Sequence, residues 1–237
     1  MNIIVTGASK GIGEQIVRKL AAQKRHTLIL IARDKEKMKV LTEELTILHP
    51  ETHIYSIVYD LNQTEVISEI LIPQIFEITH SVDILINNAG FLVNTPFLEI
   101  SEEILQKHYR INVFSPILLM KNLFEALKAS SSGHIVNVGT MGAVQGSQKF
   151  PGLSPYSSGK AALANFTEAL AEEWKEYGIR VNYLALGAVD TEMFEEAFPG
   201  KSALVSAEEM GRYIADFALT GGHLYNGKII PVSLSTP

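Results

Sequence analysis

Asn2-Ile3-Ile4-Val5-Thr6-Gly7-Ala8-Ser9-Lys10-Gly11-Ile12-Gly13 opens the chain, and how it is read decides the fold. The first five of these residues read as a short buried strand, and residues 12–23 carry apolar side chains at helical spacing. Gly7, Gly11 and Gly13 fall between strand and helix. Glycines let a backbone approach a pyrophosphate closely, and the free N–H groups of a helix N-terminus donate to it. The spacing is Gly-x-x-x-Gly-x-Gly, not the commoner Gly-x-Gly-x-x-Gly. Taken alone it could equally be a tight turn; its place between strand and helix makes it a candidate phosphate loop.

The same alternation runs outward through the chain. Apolar, β-branched runs at 27–31, 53–58, 82–86, 134–138, 180–185 and 228–232 read as further strands. Segments 35–48, 65–79, 102–129, 156–177 and 207–219 read as helices between them. Short continuous apolar strands joined by helices imply a parallel sheet covered on both faces, and right-handed crossovers make it doubly wound. Ser101 and Ser206, each followed by two glutamates, are expected N-caps, and Gly178 an expected helix end. Pro116 predicts a kink or break near Phe114-Ser115. Residues 142–155 read as a loop, and residues 192–202, with Pro199-Gly200 and weak periodicity, as a mobile flap.

The chain has 237 residues, of which 46% are hydrophobic and 19% charged, a composition that can bury a large core. No linker or repeat divides it, so one α/β domain over residues 1–237 is expected. The net charge of −6 with no basic run argues against nucleic acid and anionic membranes. Cysteine is absent, which excludes disulfides and thiolate metal sites. The seven histidines are scattered without metal-ligand spacing. Apolar stretches stop short of a membrane span and no secretory signal is visible, so we expect a soluble, cytoplasmic protein.

Tyr156 and Lys160 lie four residues apart in Pro155-Tyr156-Ser157-Ser158-Gly159-Lys160. On a helix they share one face, one turn apart. An ammonium beside a phenol favours phenolate, so we expect a lowered Tyr156 pKa, suited to general acid/base work. The segment is no phosphate loop, because the upstream glycine is missing. Trp174 and Tyr177, at helical spacing, read as packing residues.

Together these residues resemble the short-chain dehydrogenase/reductase family, over nearly the whole chain. Residues 6–13 match its glycine-rich motif, Asn87-Asn88-Ala89-Gly90 its Asn-Asn-Ala-Gly motif, and Tyr156 with Lys160 its active-site pair. Asn112 matches its helical asparagine, and Asp60 after the third strand matches the acid it places against adenine. The resemblance implies a Rossmann-type sheet of about seven strands in order 3-2-1-4-5-6-7. It also implies hydride exchange between a nicotinamide cofactor and a small-molecule carbonyl or secondary alcohol, and a homodimer or homotetramer formed through segments 102–129 and 156–177. Implied cofactor contacts are Gly7, Ser9, Lys10, Gly11, Ile12, Gly13, Arg33, Asp60, Leu61, Asn88, Ala89, Gly90, Tyr156, Lys160, Val189 and Thr191. Ala32 stands where NAD-preferring relatives carry an acid, and Arg33 follows it. Arg33 with Lys10 would clamp a 2′-phosphate, so NADP(H) is expected ahead of NAD(H).

Within the resemblance Tyr156 is the proton donor or base, Lys160 tunes it, and Asn112 holds a water in a proton relay. The family's serine at the end of the fifth strand is here Thr140, which keeps a hydroxyl but adds a methyl. Ser147 and Ser154 are alternative hydroxyls. Leu186 replaces the usual proline before Gly187, so the following loop should be less rigid, with Val189 and Thr191 still placed to meet the nicotinamide. Phe91, Leu92, Val93, Phe150, Leu153, Met193 and Phe194 suggest an apolar substrate pocket. A dinucleotide sensor or scaffold on the same fold is the alternative to an enzyme.

Overall fold

The computed structural model describes residues 1–23 and 25–234. Its strands are β1 (Asn2–Thr6), β2 (Thr27–Ala32), β3 (His53–Val58), β4 (Ile84–Asn87), β5 (His134–Thr140), β6 (Arg180–Leu186), β7 (Val189–Asp190), β8 (Val205–Ser206) and β9 (Ile229–Val232). Seven of them form one parallel sheet in the order β3-β2-β1-β4-β5-β6-β9. The seventh position expected from sequence belongs to β9, because the short pair β7–β8, which the sequence did not suggest, intervenes.

The helices are α1 (Gly11–Ala21), α2 (Lys35–Leu48), α3 (Ile72–Ile78), α4 (Glu102–Tyr109), α5 (Ser115–Asn122), α6 (Phe124–Lys128), α7 (Ser154–Glu173), α8 (Glu192–Ala197) and α9 (Ala207–Thr220). Side chains of each central strand alternate between the two faces. Ile4, Ile29, Ile31, Leu85 and Ile135 bury against α3, α5, α6 and α7. Ile3, Val5, Leu28, Leu30 and Val136 bury against α1, α2 and α9. A sheet buried on both faces is what the continuous apolar strand runs required.

Local signals hold at most ends. Ser101 caps α4 by accepting from the Ile104 N–H, and Ser206 makes a full capping box with Glu209 on α9. After α7, Gly178 closes the last turn in the left-handed region. Trp174 and Tyr177 pack on Phe124, with ring centroids 5.0 Å apart in both pairs.

Two segments expected as single helices are composite. Segment 102–129 passes from α4 into a π turn at Arg110–Phe114 before α5, and breaks again at Leu123. Segment 65–79 is a 3₁₀ turn at Thr64–Val66, a π turn at Ile67–Leu71 and then α3. In each case the π turn leads into a helix carrying proline in its first turn, Pro116 and Pro73. Proline lacks an N–H and its ring collides with the carbonyl four residues back; one widened turn relieves both without ending the helix. Within the segment 192–202 expected as a flap, residues 192–197 form α8, capped by Thr191, whose hydroxyl accepts from the Phe194 N–H, and the rest is turn and irregular chain.

Candidate active site

A cleft of about 570 Å³ runs along the carboxyl ends of the strands. It crosses the point where the chain leaves β1 for β2 on one side and returns as β4 on the other, the usual ligand crevice of doubly wound sheets. All the cofactor contacts expected from the sequence line this cleft, as do Tyr156, Lys160 and Thr140, whereas Asn112 lies behind it.

At the cleft's centre is the loop from β1 to α1. Gly7 and Gly11 have φ of +67° and +56°, backbone that side-chain-bearing residues rarely adopt. Asn88 Nδ2 donates to the carbonyls of Thr6 (3.0 Å) and Gly7 (3.3 Å), tying this loop to the end of β4. Thr6 completes the tie, its hydroxyl accepting from the N–H groups of Asn88 (3.1 Å) and Ala89 (3.0 Å). Lys10, at the N-cap of α1, offers no side-chain cap to the first turn. Gly11, Ile12 and Gly13 therefore bring helix N–H donors to the cleft wall uncapped, which fits a pyrophosphate.

Ala32, Arg33, Tyr59, Asp60 and Leu61 line one end of the cleft. Asp60 accepts from the Asn62 N–H at 3.0 Å, which fixes its carboxylate in the turn. No carboxylate among the described residues pairs with Arg33. The other expected cation is engaged: Lys10 Nζ lies 2.6 Å from Glu192 of α8, and Lys37 Nζ lies 3.5 Å from the same carboxylate. The paired clamp expected from sequence is thus one free cation and one held by an acid. The two lysines hold the Glu192 carboxyl below the usual range.

On α7, Tyr156 and Lys160 both reach the cleft floor. Lys160 is buried, and its ammonium donates to the Val138 carbonyl at 2.9 Å. Burial lowers its pKa to about 8. Tyr156 moves opposite to the sequence expectation: burial pushes its pKa up to about 12. Withdrawal of the phenol from water is the cause, while the Lys160 ammonium is turned to a backbone carbonyl.

Thr140 ends β5, its hydroxyl accepting from the Gly142 N–H at 3.2 Å and keeping its own proton free to donate. Neither alternative serine lines the cleft. Ser147 donates to Met141 O (2.6 Å) and Val144 O (2.8 Å), and Lys149 binds it from outside. Ser154 begins α7 and is exposed. Asn112 is fully buried in the π turn, where it accepts from the Phe91 N–H (3.0 Å) and donates to the Phe91 carbonyl (2.8 Å). It braces the wall of the cleft.

Beyond Tyr156 the walls are Phe91, Leu92, Met141, Phe150, Leu153, Met193, Phe194 and Phe198. Val93, expected here, is not among them. Phe198, not expected from the sequence, packs against Phe194 with the rings tilted and their centroids 5.2 Å apart. Ser157, directly after Tyr156, and Gln148 also line the cleft and were not anticipated. Leu186 is buried and Gly187 packs on Ser233, so the loop without proline is held from the C-terminal side. Among the described residues no cluster of three or more metal-ligating side chains occurs, and no helix is long and apolar enough to cross a membrane.

Residues 1–202 match the family model described as short chain dehydrogenase. An L-xylo-3-hexulose reductase of Hypocrea jecorina is 35% identical over 214 residues, which cover 83% of this chain and 69% of that protein. Dehydrogenase/reductase SDR family member 7B of Xenopus laevis is 29% identical over 202 residues, 84% of this chain; the match spans 61% of that relative's length. Among solved structures, a blue fluorescent protein from a metagenomic library in complex with NADPH superposes with a TM-score of 0.84 at 25% identity, covering 98% of this chain and 96% of that one.

Proposed function

The chain belongs to the short-chain dehydrogenase/reductase family, and from that premise we propose that it is an NADP(H)-dependent oxidoreductase acting on a small-molecule carbonyl or secondary alcohol. One observation carries the reading. A buried Lys160 and Tyr156 stand on the floor of the same cleft whose centre is the uncapped N-terminus of α1. A nicotinamide held in this cleft would supply hydride to a carbonyl carbon or accept it from an alcohol.

The chain's own groups do the rest. The first turn of α1 would bind the pyrophosphate, Asp60 and Leu61 would take the adenine side, and Arg33 would meet the 2′-phosphate. Val189 and Thr191 would hold the nicotinamide end. Thr140 donates a hydrogen bond to the substrate oxygen, and Tyr156 passes a proton to it. Held above its usual range by burial, the phenol is neutral at pH 7 and so carries a proton to give to a carbonyl oxygen. Lys160, with a pKa of about 8, is mostly ammonium at that pH and keeps a positive charge beneath the site. The NADPH held by the blue fluorescent protein above supports the same cofactor here. Leu105 of α4 and Phe114 of the following π turn stay exposed, and a second copy packed there would make the homodimer or homotetramer.

The test is a panel of aldehydes, ketones and alcohols with NADPH and with NADH, with Tyr156→Phe as control. Turnover that favours NADPH and is lost in Tyr156→Phe supports the proposal. NADPH binding without turnover on any substrate would establish the sensor instead.

A further inference from the structure

We propose that Tyr183, on β6 and outside the cleft, is a positioning residue that sets the Thr140 hydroxyl from beneath the sheet. The inference rests on the reading of Thr140 given above.

Strand β4 ends at Asn87, opposite Asn137, whereas β5 runs on to Thr140. The His134 N–H donates to the Asp83 carbonyl, so the even-numbered residues of β5 turn their backbone groups to the β4 edge. Past Asn137 that edge has no strand to serve it. The next two such positions are Val138 and Thr140, and a buried backbone group must find another partner. Lys160 takes the Val138 carbonyl at 2.9 Å. Tyr183 takes the other: its hydroxyl accepts from the Thr140 N–H at 3.1 Å. Two side chains thus finish what β4 leaves open, Lys160 at Val138 and Tyr183 at Thr140.

Tyr183 has the build of a fixed part. Its relative exposure is 0%, and it is among the largest fully buried side chains of the chain. It needs Gly139, since a Cβ there would overlap the Tyr183 phenol. Burial holds the phenol well above the usual tyrosine range, with the neighbouring Tyr156 adding to the effect, so the hydroxyl stays neutral. Its oxygen anchors the Thr140 amide while the Thr140 hydroxyl accepts from Gly142. Side chain and backbone of Thr140 are each held by one bond.

The experiment is a double-mutant cycle on carbonyl reduction with NADPH, using Tyr183→Phe and Thr140→Ala. Tyr183→Phe keeps the ring and should lower kcat on the order of tenfold, the cost of a displaced donor, with KM for the carbonyl little changed. In the Thr140→Ala background the same change should cost nothing more. An equal loss in both backgrounds, or full activity of Tyr183→Phe alone, overturns the role of Tyr183. Full activity of Thr140→Ala instead overturns the reading of Thr140. Amide hydrogen exchange of the unaltered protein gives a readout independent of any variant: slow exchange at Thr140 supports the bond, and exchange at the rate of an open loop overturns it.

Discussion

Glu192→Gln should tighten NADPH binding and leave NADH binding unchanged. Lys10 and Glu192 lie 2.6 Å apart, with 42% and 57% of their side-chain surfaces exposed. Two unit charges at that separation attract by about 1.6 kcal/mol in bulk water. Side-chain entropy and salt reduce exposed pairs to about 0.2–1 kcal/mol. A 2′-phosphate drawn to Lys10 must first break this pair and then sit beside the carboxylate. Removing the charge releases Lys10 and, at 3.5 Å, Lys37 as well. The gain is roughly two- to fivefold in Kd. The assay is titration of the holo-forming protein with NADPH and NADH, followed by fluorescence, at low and at high ionic strength. Screening should erase the difference in high salt. An unchanged NADPH Kd at low salt, or an equal shift for NADH, would refute the reasoning that Glu192 competes with a 2′-phosphate for Lys10.

Two further outcomes follow from the geometry. Thr140→Ala should lower kcat by about 10²–10³, the range for loss of one donor to a developing oxyanion, while Thr140→Ser keeps most activity; steady-state rates at saturating substrate decide it. Stability should fall on acidification. His134 donates from Nδ1 to the Ala218 carbonyl (2.9 Å), and Asn182 approaches its Nε2 at 3.1 Å, an arrangement that needs the neutral ring. Burial lowers its pKa to about 4 from 6.5. Between those values the unfolded chain binds the proton and the folded one does not, so stability present at pH 7 is lost as pH falls. The share due to His134 is about 2 kcal/mol between pH 7 and pH 5. Urea midpoints at the two pH values check it, and a His134→Gln variant with the same pH dependence would contradict it.

Much of the fold could be read from the sequence because strand, glycine turn and helix announce themselves over a few neighbouring residues. Ile3, Val5 and the glycines after them needed no distant partner to be interpreted. Composite helices were harder. Pro116 is visible in the sequence, but whether a helix breaks or widens depends on what its freed carbonyls meet. The Tyr156 pKa went the other way because spacing gives the nearness of a charge and not the loss of water around the phenol. Lys10 failed as a free cation because its partner, Glu192, is 182 residues away. Tyr183 left no mark at all: inside a strand buried on both faces, a tyrosine reads like any other apolar residue.

The fit of Gly139 beneath Tyr183 has a consequence for how this chain can vary. Each position forbids the ordinary choices at the other, so the two behave as a single heritable unit. Any residue with a Cβ at 139 is excluded while the phenol is present, and shrinking 183 first opens a void under the strand end. Stepwise substitution must cross a poor intermediate in either order. An engineer who varies the substrate wall can treat its phenylalanines one at a time, but positions 139 and 183 belong in one library, randomised together.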